Sequence, residues 1–205
     1  MVSKLTSVGC VIDRKRLWRA CAVLTLALGL TSSVGATTYL PITFQELVTE
    51  ADVIFVGDVV DLRPYVLRTR TGIIVKTRVT FQVAEALYGT TSIVEVFDFL
   101  GGEADGIGIA VEGMPKFAVG DRRVVFARRK PSLNPIVGFT QGLLRVQRDG
   151  NGVDRVVTLE GLSLVRPESI GSPASSLRLQ PQAATMTLSD LRGRIVSALV
   201  EAHRR

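Results

Sequence analysis

The chain has 205 residues, with 25 Lys and Arg against 19 Asp and Glu, two cysteines and one histidine. Five of the basic residues and one of the acidic residues lie within residues 1–36, so residues 37–205 carry a net charge of only +2. A surface this close to neutral argues against nucleic acid as a partner, because nucleic-acid binding usually needs a strongly basic face. With His203 as the single histidine and no cysteine after Cys21, we expect neither a metal nor another cofactor.

Residues 1–36 have the pattern of a secretory signal peptide. Basic residues precede an uncharged apolar run over residues 20–30, and Val34 and Ala36 supply the small side chains of a cleavage site. The run is about eleven residues long, whereas a helix needs about 20 to cross a bilayer. The sequence therefore predicts cleavage after Ala36, export to the periplasm or the medium, and membrane contact only through this transient segment.

Residues 37–165 are predicted to form one mainly β domain. A short helix opens it, because Thr43 and Glu46 have the spacing of a capping box. Residues 53–60 are an apolar, β-branched run typical of a buried central strand, and residues 73–83 alternate apolar and polar side chains as a half-buried strand does. Further strands are expected at residues 93–99, 107–111, 123–128, 143–148 and 153–159.

The strands and turns together predict the architecture. Alternation in residues 93–99 is imperfect around Glu95 and Asp98, which suggests a β-bulge. Residues 149–152, Asp-Gly-Asn-Gly, are the strongest hairpin signal in the chain. Short strands joined by glycine turns, without long helices between them, predict an antiparallel OB-like barrel, with a β-sandwich as the alternative.

The C-terminal part of the chain is predicted to differ from the β domain. Residues 166–186 are rich in Pro, Ser, Ala and Gln and are expected to form a linker. Residues 187–205 predict an amphipathic helix, in which Leu188, Leu191 and Ile195 share one stripe. That stripe could pack on the chain's own barrel or lie in the groove of a partner.

The glycine-rich residues 101–113 are the candidate site. The Lys and the Ser or Thr of a phosphate-binding loop are missing after Gly113, so a glycine-rich connection is favoured over a nucleotide site. Glu103, Asp105 and Glu112 are nevertheless candidates for an acidic rim that binds calcium or a partner. A carboxylate-dependent hydrolase would use the same region, although the sequence assigns no catalytic residue.

Two other features have simpler interpretations. Asp149, Asn151 and Asp154 resemble part of a calcium loop, but the remaining ligand positions do not match, so a hairpin turn is expected. His203 ends the terminal helix and is expected to be a solvated surface residue. Without histidine or cysteine in the predicted core, a Ser-His-Asp or Cys-His site is not expected.

Four segments of the chain carry a resemblance to a known group of proteins. They are residues 51–59 (ADVIFVGDV), 83–89 (VAEALYG), 117–121 (FAVGD) with 124–126 (VVF), and 137–142 (VGFTQG). With these segments the chain resembles bacterial exported proteins of uncharacterised function, whose N-terminal pattern is similar to netrin-like domains, the family that includes the tissue inhibitors of metalloproteinases. The resemblance implies a five-stranded OB-like barrel with a flanking helix, and protein binding. It does not extend to inhibition, because the inhibitors chelate zinc with an N-terminal cysteine, whereas Thr37 is the predicted first residue here.

The sequence therefore predicts an exported, non-enzymatic binding or interaction domain. Its expected partner is another exported or envelope protein. The alternatives are a carboxylate-dependent hydrolase and a structural envelope component held by the C-terminal helix. No pattern in the chain indicates an oligomeric state.

Overall fold

A computed structural model describes residues 40–181 and 185–204. The predicted signal peptide and its cleavage site lie outside these residues. Within them the chain is mainly β, with a short first helix and a longer last one, in the barrel-or-sandwich class that the sequence predicts. In chain order the elements are α1 (Phe44–Thr49), β1 (Val53–Thr69), β2 (Gly72–Tyr88), β3 (Val94–Leu100), β4 (Gly102–Ala104), β5 (Ile107–Ile109), β6 (Arg122–Ala127), β7 (Leu143–Arg148), β8 (Asp154–Val157), a 3₁₀ turn (Pro167–Ser169), α2 (Ala174–Leu177) and α3 (Leu188–Ala202).

Six strands form one antiparallel sheet in the order β3-β2-β1-β6-β7-β8, and β4 pairs with β5 separately. β1 is the central strand because it pairs with β2 from Ile54 to Thr69 and with β6 from Val53 to Asp58. The register between β1 and β2 shifts at three places, which bends these long strands. The described strands are paired as an open series, with β3 and β8 at its edges.

The sheet curls over one of its faces. After β6, the chain returns alongside it through a bridge between Ala127 and Ile136. The same connection reaches the far edge of the sheet, where the Leu100 amide of β3 donates to the Leu133 carbonyl at 3.0 Å. One loop therefore contacts both the middle and the edge of the sheet, which is possible only if the sheet is strongly curved.

The two faces of the sheet hold two hydrophobic cores. Along β1, Phe55 points into the core enclosed by the curled sheet, together with Phe81 and Phe97. The neighbouring Ile54 and Val56 point to the other face, where the helices cover them. Because successive strand residues face opposite sides, the apolar run at residues 53–60 is buried on both faces, as expected of a central strand.

Both predicted helices are confirmed, and both begin with a capping box. In α1 the Thr43 hydroxyl accepts from the Glu46 amide while the Glu46 carboxylate accepts from the Thr43 amide. The two hydrogen bonds from Thr43 to the Glu46 carboxylate hold its pKa below the usual range. In α3, Thr187 and Asp190 repeat the arrangement. Satisfying the first free amides in this way lets so short a helix as α1 begin at a defined residue.

α3 packs on its own domain, which decides between the two alternatives for its apolar stripe. Leu188, Leu191, Ile195 and Ala198 are buried in the core beneath the helices. Arg192 forms an ion pair with Glu85 of β2 at 2.5 Å, which ties the helix to the sheet. The stripe is therefore not free to lie in a partner's groove.

The expectation of a linker at residues 166–186 is wrong for the part that the structure describes. Ile170, Leu177 and Met186 are buried in the same core as α1 and α3. Arg155 of β8 forms a bridge with Thr187, and the Val156 amide donates to the Met186 carbonyl. These three apolar side chains can anchor the segment because each enters a core that already exists, so the segment need not form one alone.

The suggested bulge near Glu95 is also absent from β3. Residues 94–100 pair with β2 without a register shift, and Glu95 points inward together with Phe97 and Phe99. The outward positions are Val94, Val96 and Asp98. The alternation is therefore regular, and it looked irregular because a carboxylate occupies a buried position while two valines lie on the wet face.

The remaining predicted elements are present, and they differ from the prediction only in where they begin and end. The hairpin at residues 149–152 is confirmed, since β7 and β8 flank it. The strand expected at residues 107–111 is shorter and pairs only with β4. No helix among the described residues is long and apolar enough to cross a membrane.

Candidate binding cleft

The candidate site at residues 101–113 forms one wall of an apolar cleft. The cleft has a volume of about 380 Å³ and lies between the end of β3, the β4–β5 hairpin and the segment that leads to β6. Most of its surface is hydrocarbon. Its lining residues are Leu62, Thr77, Phe99, Leu100, Gly101, Gly102, Ile109, Ala110, Val111, Met114, Pro115, Lys116 and Phe117.

Two glycines fold the β4–β5 hairpin back over the sheet. Gly101 and Gly102 have φ values of +105° and +125°, a region that side chains disfavour. A Cβ on Gly102 would lie 2.3 Å from the Thr77 hydroxyl oxygen, so a side chain has no room there. The Thr77 hydroxyl donates to the Gly101 carbonyl at 2.8 Å and fastens the turn to β2. The glycines that the sequence singled out therefore shape the cleft wall.

Aromatic rings form the floor of the cleft. The rings of Phe99 and Phe117 are 4.7 Å apart between centroids, and Phe117 also meets the edge of Phe81 at 5.8 Å. Phe81 belongs to the enclosed core with Phe55 and Phe97. Because these rings belong to or pack against a buried core, the floor of the cleft has a fixed shape.

A hydrogen-bonded turn at residues 117–121 positions Phe117. The Asp121 carboxylate accepts from the Ala118 amide at 2.8 Å and from the Arg123 guanidinium at 2.5 Å. The Val59 amide donates to the Asp121 carbonyl, which attaches the turn to β1. Burial lowers the pKa of Arg123, and Asp121 opposes that effect. One of the motifs that carry the netrin-like resemblance thus holds a wall of the cleft.

Lys116 is the only charged residue among the described residues that line the cleft. Its side chain is exposed, and it forms no ion pair with any residue that the structure describes. An ammonium group beside an otherwise apolar cleft favours an apolar ligand that carries a negative charge at one end.

The predicted acidic rim is not assembled around this cleft. Glu103 lies on β4, Asp105 occupies the β4–β5 turn at φ +54°, and Glu112 follows β5. All three are exposed, and none lines the cleft. The described residues contain no group of three or more His, Cys, Asp or Glu that could hold a metal ion. The calcium interpretation of these three residues therefore has no support in the structure.

The other sequence candidates lie where the simpler interpretations place them. The Asp149 carboxylate accepts from the Asn151 and Val153 amides at 2.9 Å, and the hydrogen bond from Val153 contributes most to lowering the pKa of Asp149. These contacts close the β7–β8 hairpin. His203 is the exposed C-terminal cap of α3, with Nδ1 2.7 Å from the Leu199 carbonyl.

Sequence reasoning missed an ion pair that joins a buried carboxylate to a half-exposed arginine at the other end of the sheet. Glu95 is only 4% exposed and is bound by two nitrogens of Arg129, at 2.9 and 3.2 Å, and by the Thr90 hydroxyl. The Arg129 amide also donates to the Asp52 carboxylate at 2.8 Å. The sequence did contain a signal for this pair. Glu95 alternates in phase with Phe97 and Phe99, which places its carboxylate on the inward face of β3.

The same place shows why Gly89 is required. A Cβ on Gly89, which has φ +68°, would lie 1.9 Å from the Asp52 carbonyl oxygen. Arg129 donates to the Gly89 carbonyl as well, at 3.3 Å. Residues from two of the motifs that carry the resemblance, 51–59 and 83–89, therefore meet here. Their contacts hold β1, β2 and the end of β6 together and are structural.

Comparison with known proteins leaves the resemblance untested. The chain matches no protein-family model, and no curated protein shows significant similarity to it. The netrin-like resemblance therefore stays a prediction based on the motifs themselves.

Proposed function

We propose that the chain is an exported, non-enzymatic binding domain that holds an apolar group of a partner protein in the cleft. The observation that carries the proposal is the cleft itself, with its aromatic floor of Phe99 and Phe117 and, at its side, the ammonium of Lys116, which has no ion pair with a described residue. A fixed apolar hollow with few polar groups is typical of a binding site. The signal-peptide pattern and the resemblance to netrin-like domains support export and protein binding.

The hydrolase alternative gains nothing from this geometry. Among the described residues that line the cleft there is no carboxylate and no histidine, so these residues bring no such acid or base to a bound substrate. The structural alternative depended on a free C-terminal helix, and the apolar stripe of α3 is buried in its own core. Neither alternative therefore has an observation in its favour.

The proposal is tested by filling the cleft. Exported and envelope proteins are passed over the immobilised chain, and we expect a protein that is retained by the wild type and lost with Ala110→Phe, which places a ring in the cleft. Ala174→Phe is the matched control, because Ala174 is also exposed but lies on α2 and does not line the cleft. Equal retention by both variants, or no retained protein, would contradict the proposal.

A small probe checks the cleft without a partner. Anilinonaphthalene sulfonate joins an aromatic group to an anion, which matches the aromatic floor and Lys116. We expect Lys116→Gln to weaken its binding on the order of tenfold, as for loss of a hydrogen bond to a charged group. Ala110→Phe should remove most of the binding, whereas Lys130→Gln, a second exposed lysine outside the cleft, should leave it unchanged.

A further inference from the structure

The hairpin formed by β1 and β2 extends beyond the rest of the sheet. Pairing of β6 with β1 reaches Asp58, and pairing of β3 with β2 reaches Lys76. The last backbone hydrogen bond to another element is the one that Gly101 donates to Val75. Within the part of the chain that the structure describes, residues 67–74, called the ribbon tip below, form strand pairs only with one another.

Positive charge is concentrated on this ribbon. Residues 61–80 contain five Lys and Arg against one Asp, a net charge of +4, while the rest of residues 37–205 contain 15 against 17. At the base of the ribbon, Arg63 pairs with Asp61 and Arg78 pairs with Asp98. Arg68 and Arg70 at the tip are exposed and form no ion pair with any described residue.

The ribbon tip also exposes large aliphatic side chains. Leu67 is 41% exposed and Ile73 is 42% exposed. Leu67 lies opposite Ile74, and Arg68 lies opposite Ile73, so the two exposed aliphatic side chains are on opposite faces of the ribbon. Arg68 therefore shares a face of the tip with Ile73, while Leu67 and Ile74 lie on the other face.

The turn that ends the ribbon is held in one conformation. The Thr69 hydroxyl donates to the Gly72 carbonyl at 2.8 Å and accepts from the Thr71 amide at 3.3 Å. Gly72 has φ +143°, which a glycine adopts without strain. Because the tip is already ordered, little conformational entropy is lost when it meets a surface.

We propose that the ribbon tip docks on an anionic lipid surface, with Leu67 and Ile73 in the apolar boundary and Arg68 and Arg70 at the lipid phosphates. Binding at such a surface draws on buried apolar area together with attraction between basic residues and anionic lipids. Nucleic acid explains the arginines but not the two exposed aliphatic side chains. The proposal is independent of the cleft and extends the function beyond protein binding.

The test measures partition of the full chain onto vesicles of phosphatidylcholine, with and without phosphatidylglycerol. The double variant Arg68→Gln/Arg70→Gln should bind the anionic vesicles more weakly, on the order of 30-fold, because each basic residue near the surface contributes about fivefold. Arg178→Gln/Arg194→Gln is the matched control, since it removes two exposed arginines elsewhere. Residues 1–36 are present in every variant, so only the ratios between variants are compared.

A second pair of variants tests the aliphatic contribution. Leu67→Ser/Ile73→Ser should weaken binding on the order of tenfold, because each loses part of the free energy of burying an aliphatic side chain. The matched control is Leu133→Ser/Leu179→Ser, which replaces side chains that are 58% and 86% exposed. Circular dichroism and urea unfolding confirm that all four variants keep the fold.

Each outcome decides the proposal. Losses confined to the tip variants support it. Equal losses for the two arginine pairs would show unspecific attraction between charges and overturn it. Loss with the arginine variant but none with the serine variant would overturn lipid docking in favour of a soluble polyanion, which competition by a short DNA duplex would then reveal.

Discussion

At the scale of single residues, the most informative group is Glu95. A carboxylate that is 4% exposed must be paired, because burying an unpaired charge is far more costly than any gain from packing. Arg129 supplies two hydrogen bonds and Thr90 a third. The pair connects β3 to the end of β6. Its role is therefore structural.

Replacing Arg129 should therefore destabilise the fold. We expect Arg129→Met to lower the free energy of unfolding by about 2 kcal/mol, less than for a fully buried pair because the Arg129 side chain is 50% exposed. Urea unfolding measures the change. Adding Glu95→Gln should recover part of the loss, since it removes the charge left without a partner.

The neighbouring Arg128 provides the control. Its ion pair with Glu50 joins side chains that are 42% and 45% exposed, and pairs of this kind contribute little. Arg128→Met should change the free energy of unfolding by no more than about 0.5 kcal/mol. Equal costs for Arg128→Met and Arg129→Met would mean that the Glu95 pair is not structurally important.

At the scale of elements, local sequence fixes where structures begin and turn. α1 and α3 start at a threonine whose hydroxyl caps the helix, and the β7–β8 hairpin turns at Asp149, whose carboxylate accepts two backbone amides. Each signal consists of residues within four positions of one another. These hydrogen bonds therefore depend on the local sequence and not on contacts with distant residues.

The cap of α3 can be tested by itself. Thr187→Ala should lower the free energy of unfolding by about 1 kcal/mol, the usual cost of losing an N-cap. Ser189→Ala, two residues further along the exposed side of the helix, should change it by less than about 0.5 kcal/mol. A cost for Ser189→Ala as large as that for Thr187→Ala would contradict the role of the cap.

The cap also predicts a dependence on pH. Hydrogen bonds from Thr187 lower the pKa of Asp190 in the folded chain. Stability from this carboxylate is therefore present above the unfolded pKa of about 3.9 and is lost as the pH falls through the lower, folded pKa. The difference between wild type and Thr187→Ala should shrink below about pH 4.

At the scale of the whole molecule, the C-terminal segment completes the main core. Residues 166–181 contribute Ile170 and Leu177, which are 4% exposed, and α3 adds Leu191 and Ile195. Without these side chains the helix-covered face of β1 and β6 would be open to water. Deleting residues 187–205 should thus impair folding and not merely detach a localisation signal.

A matched pair of leucines tests this arrangement. Leu177→Ala should lower the free energy of unfolding by about 2–4 kcal/mol, the range for truncating a buried leucine. Leu179→Ala, at 86% exposure in the same segment, should change it by less than about 0.5 kcal/mol. Thermal and urea unfolding would both measure this difference between the two variants. Equal effects of the two substitutions would restore the interpretation of this segment as a linker.

The distribution of charge is a second property of the whole molecule. The value of +2 for residues 37–205 gave no reason to expect a basic surface. The pairing of β1 with β2 places five basic residues on one ribbon and leaves a net negative charge elsewhere. A sum over the chain conceals this cluster, which lies within 20 consecutive residues and which the pairing of β1 with β2 extends beyond the rest of the sheet.

By itself the sequence determined the class of fold, the capped helices, the central strand and the β7–β8 hairpin, because period, capping and turn chemistry act between near neighbours. Only the tertiary structure decided that residues 166–181 belong to the core, that Glu95 faces inward and that Glu103, Asp105 and Glu112 stay apart from the cleft. The cleft itself joins Leu62, Thr77 and Phe117, which are far apart in the chain. Contacts between distant residues depend on strand order and sheet curvature, and no local pattern encodes these.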